Sequence, residues 1–246
     1  MLSPRLPLEG AFNVRDLAEI PTANPRVVAG RVYRADALHR FTEADCGVFR
    51  SLGVSRVFDL RSEVELANDG VGDFVDDTIE HRHVPLVEVT LSPFDPTIDW
   101  SQLDLSNRYV EMLAGGGAVI AEILTSLAAA DAEPTVFHCT GGKDRTGVVA
   151  AVLLRALGVD DATIVDDYAT SEHYLAPVID AYRDTLAEHG LDEESVAYLT
   201  LSPPKRMRHT LAELDRRWGG TDAYLDSIGI DGSVVDGLRR RLLDVG

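Results

Sequence analysis

Cysteine is nearly missing from this chain: 246 residues carry two, Cys46 and Cys139. Two thiols build neither a disulfide framework nor a cysteine-rich zinc site, and they suit a reducing compartment. Long apolar runs are lacking as well. No stretch reaches the roughly 18 consecutive apolar residues of a membrane span, and the opening MLSPRLPLEG holds no apolar core of the kind a secretory signal needs. The expectation is a cytoplasmic protein without stable membrane association, export by an unconventional route being left open. Basic residues are scarce, 23 against 41 acidic ones, for a net charge of −18. Such a chain repels polyanions on average, which argues against nucleic-acid binding and makes any anion site a local one. Internal repeats and low-complexity linkers are absent too, so 1–246 is read as one domain with ample length for a core.

What is present is ordinary globular composition, 45% hydrophobic and 26% charged. VSRVFDL (54–60), HRHVPLV (81–87) and PTVFHC (134–139) read as strands, being short, apolar and β-branched between punctuating residues. TEADCGVFRSLG reads as a helix with Thr42 as N-cap and a stop at Gly53. AVIAEILTSLAAA (118–130) and RTGVVAAVLLRALG (145–158) carry apolar residues at helical spacing, the second nearly all round, as a buried helix does. After 158 the pattern is almost wholly helical. The predicted fold is α/β: a central, largely parallel sheet flanked by helices within about 1–158, and an enlarged helical part over about 159–246. One segment, 87–104, mixes two prolines with apolar and acidic residues and is expected to be a functional loop or lid.

The chemistry concentrates in VFHCTGGKDRTGVV (136–149). The strand brings Cys139 to the edge where open α/β sheets bind ligands. Thr140, Gly141 and Gly142 follow, and paired glycines let the backbone curl and turn successive N–H groups inward as an anion nest. A helix starting near Arg145 or Thr146 aims its positive end at the same concavity. Arg145 stands six positions after Cys139, close enough to close the loop round one anion and bind two phosphate oxygens with its guanidinium. The same features favour the thiolate over the thiol. A sulfur nucleophile under a tetrahedral-anion cradle implies attack on phosphorus, a cysteinyl-phosphate intermediate and its hydrolysis.

HCTGGKDRTG resembles the Cys-x5-Arg signature of the cysteine-dependent protein tyrosine phosphatase superfamily. Its HCxxGKDRTG form is similar to an atypical bacterial tyrosine/serine phosphatase branch typified by a secreted mycobacterial enzyme. GAFNVRDLA, GRVYRADALHRFTEAD, GVSRVFDLRSEVEL, HVPL, DYATS and WGGTDAYLDSIGI resemble that branch's segments, in order, along nearly the whole chain. One departure is the EIPT that follows NVRDLA, where many relatives carry a glycine pair. The resemblance implies a phosphotyrosine phosphatase-like fold, Cys139 as nucleophile, Arg145 as phosphate clamp, and a pocket lined by the loop from Thr140 through Lys143 and Asp144 to Arg145 and Thr146. Lys143 and Asp144 match the branch's lysine and aspartate; the lysine is associated there with phosphoserine, phosphothreonine and phosphoinositide substrates.

Departure of a tyrosyl or seryl oxygen needs a proton donor. Glu88, Asp95 and Asp99 lie in the expected lid, Glu88 first among them, and Asp144 lies in the loop itself. Asp144 is preferred as the functional carboxylate, although Lys143 and Arg145 beside it suit a base or an orienting group better than an acid. Strand alternation turns His138 away from the sulfur, so it is read as a support bonded to loop backbone. Asp59 and Arg61 are read as an ion pair fixing a turn, with Arg61 at the pocket rim as the alternative. Asn13, Arg15 and Asp16 are read as anchors behind the site, Cys46 as core, and KRMRH (205–209) as a solvated helix face.

The expected function is hydrolysis of phosphotyrosine, with phosphoserine and phosphothreonine as further substrates, in proteins or peptides. No metal or cofactor is expected, because Arg145, the amides and the helix end supply the positive field. A phosphoinositide phosphatase is the alternative, with an inositol headgroup as partner; a phosphate-binding pseudoenzyme and a rhodanese-like sulfurtransferase are further ones. The oligomeric state is not legible.

Overall fold

The computed structural model describes residues 4–20, 26–75, 78–87, 105–188, 196 and 200–244. A five-stranded sheet runs β1 (Arg15–Asp16), β2 (Val32–Ala35), β5 (Thr135–His138), β3 (Arg56–Asp59) and β4 (Glu80–His83) from edge to edge. β1 pairs antiparallel with β2; the other three pairings are parallel. Ala35, His138, Asp59 and His83 therefore stand in one register row at the carboxyl edge. The chain leaves β5 at its centre, and the next residue is Cys139.

Alternation along the strands sorts side chains into two cores. Phe137, Cys139, Phe58, Leu60 and Val32 pack with the helical side, whereas Val136, Val57, Tyr33 and Ala35 pack with Phe41, Cys46 and Phe49 on the other. His138, between Phe137 and Cys139, turns to the face opposite the sulfur. The second face is covered by α1 (Glu43–Ser51), which begins at Thr42 through a reciprocal capping box with Asp45. That helix stops before Gly53, whose φ of +69° suits glycine. Cys46 is buried there, as core.

The helical face holds α3 (Leu105–Gly115), α4 (Gly117–Ala128) and α5 (Asp144–Ala156), then α6 (Asp161–Glu188), α7 (Pro204–Trp218), α8 (Thr221–Ser227) and α9 (Gly232–Leu242). Every residue of α5 from Arg145 to Leu154 is buried, which accounts for its unbroken apolar pattern. α7 packs on α3 and α6, and α9 packs on α4. Among the described residues no single helix is long and apolar enough to cross a membrane.

Three expectations need correction. The strand read over 81–87 ends at His83. β2 and α2 (Glu63–Asp69) were not anticipated as elements at all. And 205–209 is no uniformly solvated face: Arg206 and Met207 of α7 are buried, Arg206 being 4% exposed. The expected lid over 87–104, with Glu88, Asp95 and Asp99, lies outside the described residues apart from Val87.

Candidate active site

Cys139 sits at the foot of β5, 2% exposed and packed in the helical-side core. Above it, residues 140–143 form the loop that enters α5, with Lys143 in the N-cap position. Gly142 shows why a glycine is needed. Its φ is +61°, and a Cβ there would lie 2.5 Å from the backbone of Ala35 and Asp36.

The loop is held from outside by its carbonyls. Thr140 O accepts from Ala37 N (3.0 Å), Gly141 O from Asn13 Nδ2 (3.0 Å), and Gly142 O from Asn13 Nδ2 (3.2 Å) and Arg34 Nη2 (2.8 Å). In a trans peptide N–H and C=O point in opposite directions. Fixing three carbonyls outward thus turns the amides of Gly141, Gly142 and Lys143 inward, as an anion nest requires. Asn13 is itself fixed, through its amide to Asp36 Oδ1 (2.8 Å) and through its Oδ1 from Arg15 Nη1. Arg15 and Arg34 both bond Asp167 of α6, all three being buried. Burial favours the neutral acid, yet the two guanidinium groups hold Asp167 below the usual carboxylate range. Asn13 and Arg15 are anchors behind the loop. Asp16 is not one of them; it caps the backbone of Ala18 and Gly30 instead.

Arg145, in the first turn of α5, reaches back over the loop and is clamped by Glu65. Nη1 lies 2.5 Å from Glu65 Oε2 and Nη2 2.7 Å from Oε1; Nη1 also reaches Leu60 O (3.4 Å) and Nη2 reaches Thr140 Oγ1 (3.4 Å). Thr140 Oγ1 donates to the same carboxylate. None of these bonds uses Nε. Burial alone would raise Glu65, but Arg145, Thr140 and the Ser62 amide hold it down at about 2. Burial would likewise lower Arg145, but its bond to Glu65 and, separately, the nearby Cys139 raise it instead.

Glu65 was missed by sequence reasoning, though a signal existed. Ser62 and Glu65 form the S-x-x-E capping box of α2, and Glu65 Oε2 accepts from Ser62 N at 2.8 Å as well as from Arg145 Nη1, while Oε1 takes Nη2. A helix start is thereby tied to the phosphate loop.

Lys143 is buried, with Nζ 3.3 Å from Leu201 O and 3.6 Å from Asp144 Oδ2; burial lowers its pKa. Asp144 is more open, its side chain 35% exposed, and Oδ1 accepts from Tyr109 OH of α3. Thr146 Oγ1 is buried and without a hydrogen-bond partner among the described residues.

His138 Nδ1 faces Cys139 O at 3.4 Å, and Nε2 faces Asp59 Oδ1 at 3.7 Å. Burial drives its pKa to about 4, leaving the ring neutral near pH 7. Asp59 and Arg61 form a fully buried pair, with Arg61 Nη2 2.6 Å from Oδ2 and Nε 2.9 Å from Oδ1. Arg61 also donates to Gly70 O, so it braces the turn rather than facing the pocket. Asp59, His81 and His138 bring donor atoms within 4.8 Å of one another, a spacing that fits a metal ion. The carboxylate is nevertheless saturated by Arg61, whose positive charge beside it opposes a cation.

A thiol at the carboxyl edge of a mostly parallel sheet, a glycine loop with inward amides, and a helix whose first turn supplies a clamped arginine form a candidate anion site on an α/β scaffold. The chain belongs to the tyrosine phosphatase family, whose sequence model matches residues 6–244. It is therefore an enzyme of the protein tyrosine phosphatase class. It is 30% identical to a tyrosine-protein phosphatase of Nostoc commune over 89% of this chain and 76% of that one. It is 28% identical to the triple specificity protein phosphatase PtpB of Mycobacterium tuberculosis over 96% and 98%. A crystal structure of P. aeruginosa TpbA is similar at 16% identity and a TM-score of 0.38, over 72% of this chain and 91% of that one.

Proposed function

We propose that this chain, acting as one catalytic domain, hydrolyses phosphotyrosine in proteins or peptides through a cysteinyl-phosphate, with phosphoserine and phosphothreonine as further substrates. The substrate phosphoryl group sits in the loop. Its equatorial oxygens take the amides of Gly141, Gly142 and Lys143 and the Nε edge of Arg145, where charge develops in the transition state. Cys139 Sγ attacks phosphorus, the P–O bond to the substrate breaks, and Asp144 delivers a proton to the leaving oxygen. Water then attacks the cysteinyl-phosphate; the Asp144 carboxylate takes its proton, the S–P bond breaks, and inorganic phosphate leaves. The observation that carries this reading is the Glu65 clamp, which holds both Nη groups of an Arg145 that feels the nearby Cys139 sulfur.

The burial of Lys143 weighs against a phosphoinositide preference: its ammonium is committed to Leu201 O and Asp144 and is not offered to a second headgroup phosphate. Retention of both Cys139 and Arg145 weighs against a pseudoenzyme, and the clamped guanidinium against a sulfurtransferase. The test is release of phosphate from a small aryl phosphate with a chelator present. Activity should persist with chelator and vanish in Cys139→Ser, which should still bind phosphate. Activity lost to chelator, or kept in Cys139→Ser, overturns the mechanism. Rates on phosphotyrosyl peptide, phosphoseryl peptide and a soluble phosphoinositide, compared side by side, order the substrate classes.

A further inference from the structure

Asp144 is gripped by a buried network of two hydroxyls and a guanidinium that come from three other helices. Tyr109 of α3 donates to Asp144 Oδ1, and its oxygen lies 2.9 Å from Tyr168 OH of α6. Because the Tyr109 proton is used on the carboxylate, Tyr168 must be the donor between the two tyrosines. Arg206 of α7 lies beside both tyrosines and interacts with each of them. The rings meet edge to face, centroids 5.9 Å apart, and neither tyrosine is more than 1% exposed. The polarity of the hydroxyl pair is therefore fixed, Tyr168 to Tyr109 to carboxylate, with Arg206 beside both. Asp144 Oδ1 takes the Tyr109 hydroxyl, while Oδ2 lies 3.6 Å from Lys143 Nζ.

We infer that Tyr109 is a positioning residue for the reaction: it fixes which oxygen of Asp144 exchanges the proton and stabilises the ionised carboxylate, with Tyr168 and Arg206 fixing Tyr109. This rests on the reading of Asp144 as the functional carboxylate. Tyr109 can hold the role because burial drives its own titration far above neutral, so it remains a donor throughout the working range. Isolated propping of a helix would not require this arrangement. A hydroxyl serving only packing would be satisfied by a backbone carbonyl, as Tyr224 OH is by Leu113 O at 2.9 Å.

The charged and titratable groups facing Asp144 are Lys143 and Arg145 on its own segment, Tyr109 from α3, Tyr168 from α6 and Arg206 from α7. Cys139 faces both cations. Of these, only the Tyr109 bond can be removed by deleting one oxygen without changing a charge. Loss of a hydrogen bond to the ionised form moves a carboxylate's titration to higher pH. For a bond to a charged group the expected movement is about one pH unit.

The experiment records kcat/KM against pH for a substrate with a poor leaving group, phenyl phosphate, in the full chain and in Tyr109→Phe, Tyr168→Phe, Asp144→Asn and Tyr224→Phe. In Tyr109→Phe the alkaline limb should move up by about one unit and the plateau kcat should fall. Tyr168→Phe should move the limb the same way by less. Tyr224→Phe, which also deletes a buried hydroxyl contacting α3, should lower the melting temperature and leave the limb where it is. Asp144→Asn should abolish the limb. If Asp144→Asn keeps the limb, the reading of Asp144 falls and this inference with it. If Asp144→Asn loses the limb but neither tyrosine variant moves it, or Tyr224→Phe moves it equally, the inference alone falls. Should Tyr109→Phe fail to fold, the Tyr168→Phe limb decides.

Discussion

Replacing Glu65 by glutamine tests whether the carboxylate charge, and not merely its shape, holds Arg145. The side chain is 13% exposed and takes both Nη groups of Arg145. Its titration is displaced from 4.5 to about 2. A displacement of about 2.5 units, at 1.36 kcal/mol each, sets a ceiling of about 3 kcal/mol on the contribution of the charge at neutral pH. Glutamine keeps the capping geometry of α2, since either residue serves at that position, so the expected loss is about 1–3 kcal/mol. The sign is fixed by linkage. A carboxylate depressed in the folded state stabilises fully above its ordinary value of 4.5 and loses that contribution as pH falls toward about 2. Urea unfolding of both proteins from pH 8 downward should therefore show a gap that is constant near neutrality and narrows below about pH 5. At pH 7 kcat/KM should fall roughly 10- to 100-fold, because a guanidinium free to swing no longer meets the transition state in register. A gap that does not narrow in acid, or an unchanged kcat/KM, refutes this account of the clamp.

Other perturbations follow from the same geometry. Gly142→Ala should cost more than about 2 kcal/mol, combining the left-handed φ penalty with a Cβ forced against the backbone of Ala35 and Asp36. Gly141→Ala, whose Cβ would meet, among the described residues, only Leu175 Cδ1 at 3.8 Å, should cost much less; melting curves and phosphate affinity compare the two, and equal losses contradict the prediction. Asp167→Asn leaves two buried guanidinium groups without their shared counter-charge and should lower stability by roughly 3–5 kcal/mol in urea unfolding. Unchanged stability there would mean Arg15 and Arg34 are neutralised otherwise. Arg145→Lys retains charge but loses the planar fork, so kcat/KM on an aryl phosphate should drop roughly 100-fold or more. A lysine variant of near-normal rate would remove the guanidinium from the mechanism.

What could be read in advance was what local chemistry encodes. The Thr42 cap, the Gly53 stop and the apolar run of α5 from Gly147 to Leu154 are each written within a short local stretch, and so is the Cys139–Arg145 spacing. Strand β2 was hidden because Arg34 interrupts VYRA, and its burial makes sense only once Asp167, 133 residues away, is placed beside it. Arg206 misled for the same reason: a charged residue in KRMRH reads as solvated until Tyr109 and Tyr168 converge on it. Glu65 was half legible. Its capping box is a local pattern, but the bond to Arg145 spans 80 positions. His138 came out as strand alternation requires, on the face away from the sulfur. In each missed case the compensating partner was distant in sequence, and a pattern of single residues carries no sign of it.

The most direct measurement is made on the nucleophile itself. Enzyme mixed with an aryl phosphate and quenched in acid within one turnover should yield, on digestion and mass spectrometry, one phosphoryl group on the peptide bearing Cys139, absent from Cys139→Ser. Phosphate found on another side chain, or turnover with no phosphoryl-enzyme at any quench time, would contradict the account.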